Sequence, residues 1–134
     1  MLLNIKTGHG GLRQTPVQHI IFLVSSLPKV VEQGVPFVFT DRHAYLKTAV
    51  FSSELTDLSR IDWTILRTRD FKRNPDDPGK FERYQAEALI YRHLPVTALT
   101  GIACQGAAQQ TLLRRRLDEA GVSLSVLPIP NWYF

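Results

Sequence analysis

The sequence predicts an α+β domain, on three observations. Short apolar runs rich in β-branched and aromatic residues alternate with helix-like stretches, but in irregular order, whereas a wound βαβ array would alternate regularly. The 134 residues supply one ordinary core and leave no room for two, so residues 1–134 read as a single domain. A composition of 44% hydrophobic and 21% charged residues excludes a disordered chain, a collagen-like repeat and a coiled coil.

Residues 1–16 hold three glycines and a proline without any period and read as irregular entry chain. Val17 to Val24 is a compact β-branched run, predicted as a buried strand. Ser25 or Ser26 caps a short helix with Pro28 in its first turn, and Gly34 ends it. Pro36 to Phe39 reads as a strand. Thr40 or Asp41 then supplies an N-cap for a helix through His43, Tyr45, Leu46, Ala49 and Val50, and Ser53, Leu55 and Leu58 suggest one more helical turn. Ile61 to Leu66 is predicted as a strand. Arg67 to Arg83, with two prolines, a glycine and almost no aliphatic residue, reads as a long polar loop, a kind that is more often functional than idle. Gln85 to Tyr91 and Leu99 to Cys104 read as strands, Gly106 to Ala120 as a helix closed by Gly121, and Val122 to Leu127 as the last strand before an aromatic tail, Trp132-Tyr133-Phe134.

Sixteen Lys and Arg against twelve Asp and Glu leave a formal charge of +4, which suits a polyanionic partner without demanding one. The longest apolar run near the N-terminus, Ile20 to Val24, is far short of a membrane span of about 20 residues, and no export signal precedes it. With Cys104 as the only cysteine, no intramolecular disulfide or multi-cysteine zinc site can form. These features point to a cytoplasmic protein with no membrane partner.

Chemistry concentrates in two places. Arg67, Arg69, Lys72 and Arg73 could follow a phosphate backbone, with Phe71 offering a stacking face. The bland alternative is a solvated loop, because Asp76, Asp77 and Glu82 soon dilute the field. In a strand over Gln85-Ala86-Glu87, Gln85 and Glu87 share a face. Glu87 is the first acid of an otherwise apolar strand, placed where a rigid element presents a carboxylate to a cleft built by the loop. Such a carboxylate can stabilise an oxocarbenium-like sugar cation and hold a ribose hydroxyl; alternatively it is an edge residue paired with Arg83 or Arg92. His43, beside Asp41, could donate to a ligand or satisfy a local hydrogen bond. The scattered His9, His19, His43 and His93 have no metal-ligand spacing, and no G-x-S-x-G elbow supports a hydrolase. Gly8-His9-Gly10-Gly11 lacks both the P-loop and the dinucleotide pattern. Arg114-Arg115-Arg116 on a helix point different ways and cannot form one clamp.

Three ordered segments, Phe37-Val38-Phe39-Thr40-Asp41-Arg42-His43-Ala44, Leu58-Ser59-Arg60-Ile61-Asp62-Trp63 and Glu82-Arg83-Tyr84-Gln85-Ala86-Glu87, together with the ending Asn131-Trp132-Tyr133-Phe134, resemble the DarT family of bacterial DNA ADP-ribosyltransferase toxins. The resemblance covers roughly residues 15–134 and corresponds to the C-terminal two-thirds of the family pattern. It implies an ADP-ribosyltransferase-like split β-sheet with short helices, incomplete at the N-terminus. It also implies NAD as ADP-ribose donor, no metal, and a thymine base in single-stranded DNA as acceptor. The family's catalytic glutamate matches Glu87. On this resemblance, Gln85 helps hold the acceptor, Arg69, Lys72, Arg73 and Arg83 engage phosphates, and His43 supports the base or the loop. A macrodomain antitoxin resembling DarG is the implied protein partner.

The family's opening segment carries a histidine-containing strand and an arginine that contact NAD. Arg13 and His19 lie nearest to that place without matching its surroundings, so the cofactor-binding residues are left unassigned. Two further readings stay open: a truncated, catalytically inactive fragment that at most binds single-stranded DNA, and a plain DNA-binding module. A rise in melting temperature on adding NAD separates the competent enzyme from both.

Overall fold

The computed structural model of the chain describes residues 2–69 and 72–133. They fall into two compact units, one built from residues 1–29 and 95–134, the other from residues 30–94. The first unit is therefore discontinuous in sequence, with the second inserted between its halves.

The first unit holds helix α1 (Leu2–Thr7), strand β1 (Phe22–Val24), strand β5 (Gly101–Cys104), helix α5 (Ala107–Glu119) and strand β6 (Ser125–Pro128). Its sheet runs β1-β5-β6, antiparallel for the first pair and parallel for the second. Parallel neighbours need a crossover, and α5 supplies it. Leu113 and Leu117 of α5, with Leu124, pack on the buried Ile102, Cys104 and Val126. Close pairing of β5 with β6 requires Gly101, where a Cβ would stand 2.9 Å from the Ser125 carbonyl oxygen. Tyr133 is buried, its hydroxyl 2.9 Å from the Ile20 carbonyl and 3.1 Å from that of Ala103, and its ring meets Phe22 edge-on. Burial holds the Tyr133 phenol above its ordinary pKa.

The second unit carries strands β2 (Phe37–Thr40), β3 (Phe51–Ser52) and β4 (Ala88–Ile90), an antiparallel sheet in the order β3-β2-β4. Phe39 lies opposite Ser52 on one side and Ala88 on the other. Phe39 and Thr40 are buried, and Thr40 donates its hydroxyl to the Arg42 carbonyl at 2.6 Å. Two helices complete the unit: α3 (Trp63–Thr68) and α4 (Lys80–Arg83). Between β1 and β2 in the sequence lies helix α2 (Leu27–Glu32), capped by Ser26, whose Oγ accepts from the Lys29 N–H at 3.3 Å. Gly34, at φ 63°, supplies the left-handed turn that ends it.

The α+β class and its division into two small sheets are as expected. Several elements differ. Residues 2–7 are helical where irregular chain was expected. Within Val17 to Val24 only Phe22–Val24 is strand, preceded by a 3-10 turn at Val17–His19. The expected helix after Asp41 does not form: the Asp41 carboxylate accepts from the Val50 N–H at 2.9 Å instead of from the next turn, closing residues 41–50 as a loop between β2 and β3. The expected strand over Ile61 to Leu66 is mostly helix, because Asp62 accepts from the Ile65 N–H at 3.2 Å and caps α3. The polar loop ends early in α4, and the last strand starts at Ser125 rather than Val122. The stretch from Gln85 is strand only over Ala88–Ile90, while the Gln85 N–H closes a turn on the Glu82 carbonyl. The period-two argument that put Gln85 and Glu87 on one face therefore fails.

Candidate active site

The residues of interest gather in the second unit. Glu87 stands one residue before β4, and its backbone extends the sheet: the Thr40 N–H donates to the Glu87 carbonyl at 2.9 Å. This fixes the main chain at the base of the β2–β3 loop, whose ends Asp41 ties together. From there the Glu87 side chain reaches the loop. Its Oε1 accepts from the Ala44 N–H at 2.8 Å and lies 3.1 Å from His43 Nδ1. Oε2 has no partner among the described residues. The carboxylate is 37% exposed and the imidazole 51%, so an anchored anion faces solvent with one oxygen to offer. Neither Arg83 nor Arg92 pairs with Glu87 through any contact among the described residues.

Charged side chains brace this loop. Arg42 grips Asp41, with Nη2 2.9 Å from Oδ2, and extends Nη1 to within 3.5 Å of Glu82 on α4. Burial works to raise the Asp41 carboxyl, but the Arg42 guanidinium and the Val50 N–H outweigh it and hold it below its ordinary value. Arg83 donates from Nη1 and Nη2 to the two oxygens of Asp77, at 3.0 and 2.6 Å, and from Nε to Asp62 at 3.2 Å. It was expected to meet phosphates. Here its fork is filled by two carboxylates, one of which caps α3, and these contacts raise its pKa further.

The polar loop and α4 enclose a cleft of about 410 Å³. Pro75, Pro78 and Phe81 give apolar walls, while Arg73, Asn74 and Glu82 give polar ones. The Arg73 guanidinium sits 5.4 Å from the centre of the Phe81 ring. Of the other basic residues singled out in the sequence, Arg69 ends α3 in the left-handed conformation (φ 51°), and Lys72 follows in the loop. Phe71, offered above as a stacking face, lies outside the described residues. The structure thus brings His43 to Glu87 and places Arg73 at the cleft, while Gln85 sits in the turn after α4. Sequence reasoning missed the Ala44 N–H, Asp41, Arg42 and Phe81; of these only the acid–base dipeptide Asp41-Arg42 beside His43 carried a visible signal. Among the described residues no group of three or more His, Cys, Asp or Glu is arranged to hold a metal ion, and no helix is long and apolar enough to cross a membrane.

Likeness to solved structures assigns these mixed helices and two small sheets to the ADP-ribosyltransferase fold. The structure superposes on Thermus sp. 2.9 DarT in complex with carba-NAD+ with a TM-score of 0.87 and 28% identity, over 99% of this chain and 67% of that one. On the same Thermus protein in complex with ADP-ribosylated ssDNA it scores 0.86 at 29% identity, over 99% and 63%. A DNA ADP-ribosyl transferase of Escherichia coli O127:H6 is 47% identical over 134 residues, all of this chain and 62% of the relative. The family model described as ssDNA thymidine ADP-ribosyltransferase, DarT, matches residues 1–134, and the chain belongs to that family. The match includes the opening residues, which the motifs alone did not reach. The chain spans about three-fifths of the length of the Escherichia coli relative.

Proposed function

We propose that this chain carries the transfer chemistry of a DNA ADP-ribosyltransferase, moving ADP-ribose from NAD to a thymine base of single-stranded DNA. One observation carries the reading: Glu87 is fastened through Oε1 by Ala44 and His43, which leaves Oε2 to accept a hydrogen bond from the nicotinamide-ribose hydroxyl. As the glycosidic bond lengthens, its electron pair departs with nicotinamide and the sugar becomes cationic. A fixed carboxylate beside it then contributes more to the transition state than to the ground state. The bond from the sugar carbon to the thymine forms as the base gives up a proton to water. A thymine stacked in a duplex could not reach that carbon, which favours single-stranded acceptor.

His43 holds the loop and the carboxylate, Gln85 stands near the acceptor, and Arg69, Lys72 and Arg73 meet DNA phosphates. Arg83 acts behind them as a strut. The reaction is a glycosyl transfer from NAD, of a kind also classed with nucleotidyl transfers; as a toxin it would work in the bacterial cytoplasm against a DarG-like macrodomain antitoxin. The test is Glu87→Gln, which keeps an acceptor for the Ala44 N–H while removing the charge. Transfer of labelled ADP-ribose to a thymine-containing oligonucleotide should fall about 10²–10³-fold at unchanged thermal stability. Undiminished transfer overturns the assignment, and oligonucleotide binding by the wild type without any NAD consumption favours a DNA-binding fragment.

A further inference from the structure

The β2–β3 loop supplies the N–H that fastens Glu87, yet little burial holds the loop itself in place. None of residues 41–50 is buried, and Tyr45, next to Ala44, is 91% exposed. Segments with so few buried contacts open at low cost. Asp41 closes the mouth of the loop on Val50. Among the described residues, the one ion pair between this loop and a helix is made by Arg42. Its carbonyl accepts from the hydroxyl of the fully buried Thr40. Its guanidinium has no nitrogen to spare: Nε is 3.2 Å and Nη2 2.9 Å from Asp41 Oδ2, and Nη1 is 3.5 Å from Glu82 Oε2. Glu82 stands on α4, and the next residue of that helix, Arg83, is itself fixed by Asp77 and Asp62. The loop is therefore tied to a helix that is pinned in its turn.

We propose that Arg42 is a positioning residue for the transfer: by joining Asp41 to Glu82 it holds the Ala44 N–H against Oε1 and so aims Oε2 of Glu87. The inference rests on the reading above that Glu87 carries the chemistry. No contact among the described residues joins Arg42 to Glu87, so Arg42 acts through the backbone between itself and Ala44. A guanidinium enclosed by two carboxylates is a strut, with no donor left for a phosphate. The Arg42–Glu82 pair, with side chains 24% and 41% exposed, is of a kind that adds little to global stability. Its effect lies in placement, where a shift of about 1 Å in a reacting group can cost about 10²-fold in rate.

The test follows transfer of labelled ADP-ribose to a thymine-containing oligonucleotide by wild type, Arg42→Gln and Arg42→Lys, and by Arg42→Gln combined with Glu87→Gln. Arg42→Gln should lower kcat about tenfold and change KM for NAD and for the oligonucleotide by less than about twofold. Arg42→Lys, which keeps the charge but not the fork, should recover part of the rate. In the Glu87→Gln background, Arg42→Gln should cost less than about twofold more, because no charge is left to aim. A second measurement needs no activity: amide exchange at Ala44, followed by NMR, should quicken about tenfold in Arg42→Gln. Exchange at Thr40, whose N–H is bonded to the Glu87 carbonyl in the sheet, should stay as in wild type and shows that the variant is folded. The proposal is overturned by an unchanged kcat, by an equal loss in both Glu87 backgrounds, or by unchanged exchange at Ala44. It is overturned as well when Arg42→Gln lowers the salt slope of oligonucleotide binding, which would make Arg42 a phosphate contact. A wild type that transfers nothing, with Ala44 exchange still quickened by Arg42→Gln, removes the transferase reading and leaves Arg42 as the tie that places Glu87.

Discussion

Arg83 and Asp77 face each other fork to fork, with Nη1 3.0 Å from one carboxylate oxygen and Nη2 2.6 Å from the other. Asp77 belongs to the polar loop and Arg83 to α4, so this contact fastens one wall of the cleft to the helix that carries Phe81. Bidentate charge-assisted pairs are geometrically specific, and here the third donor of Arg83 reaches Asp62 as well.

The pair makes stability depend on acid. The Arg83 guanidinium holds the Asp77 carboxyl below its ordinary 3.8 in the folded chain. A carboxyl lowered on folding contributes fully above its unfolded value and loses that contribution as pH falls through the lower folded value. Thermal melts should therefore show wild type more stable than Asp77→Asn by a constant margin above about pH 4, and the two converging as pH falls below it. Equal separation at all pH values would contradict the pairing.

His43 holds Oε1 of Glu87 alongside the Ala44 N–H, so removing it should loosen the carboxylate rather than discharge it. His43→Ala is expected to slow single-turnover transfer roughly tenfold, through loss of the imidazole packed 3.1 Å from Oε1, against the much larger loss for Glu87→Gln. His43→Asn, with an amide N–H available near the Nδ1 position, should recover part of the rate.

Tyr133 tests the sheet of the first unit. Tyr133→Phe removes the hydroxyl placed between the Ile20 and Ala103 carbonyls and should cost about 1–2 kcal/mol in chemical denaturation. An unchanged midpoint would mean that neither carbonyl relies on it.

Gly101→Ala drives a methyl to 2.9 Å from a backbone oxygen that cannot rotate away. Separating β5 from β6 to relieve it should cost about 1–3 kcal/mol, read in the same denaturation experiment.

Phosphate contacts are read by salt. Replacing Lys72 or Arg73 with alanine should reduce the slope of log affinity against log salt by about 0.7 each for a single strand. Arg115→Ala, on α5 and already near Glu119 at 3.7 Å, should leave the slope unchanged. Equal slopes for all three variants would show that the loop does not follow the backbone.

Much of the scaffold can be read from local signals. The Ser26 cap and Gly34 delimit α2, and the leucine spacing with Gly121 delimits α5. The apolar Phe37-Val38-Phe39 run marks the central strand of its sheet. Two of the failures share a cause: a carboxylate whose partner cannot be inferred from composition. Asp62 spends its oxygen on the Ile65 N–H and turns an apolar, strand-like stretch into helix. Asp41 spends its oxygen on Val50, nine residues on, and cancels the helix it could have capped. At the site, Glu87 stands out as a lone acid in apolar surroundings, but the group that fastens it is a backbone N–H, which no side-chain motif announces. Arg83, one of several bases in a polar run, becomes a strut only because the fold brings Asp62 and Asp77 to it.

The interrupted layout of the first unit also sets an order of events during synthesis. Residues 30–94 form a continuous stretch whose hairpin partners are all available once they have left the ribosome, so Glu87 can meet Ala44 early. Phe22 must wait for Ala103, and Gly101 for Ser125. The nascent protein thus carries its carboxylate in place while the sheet of the first unit still lacks its last strand, and that sheet closes only once Ser125–Pro128 has been made.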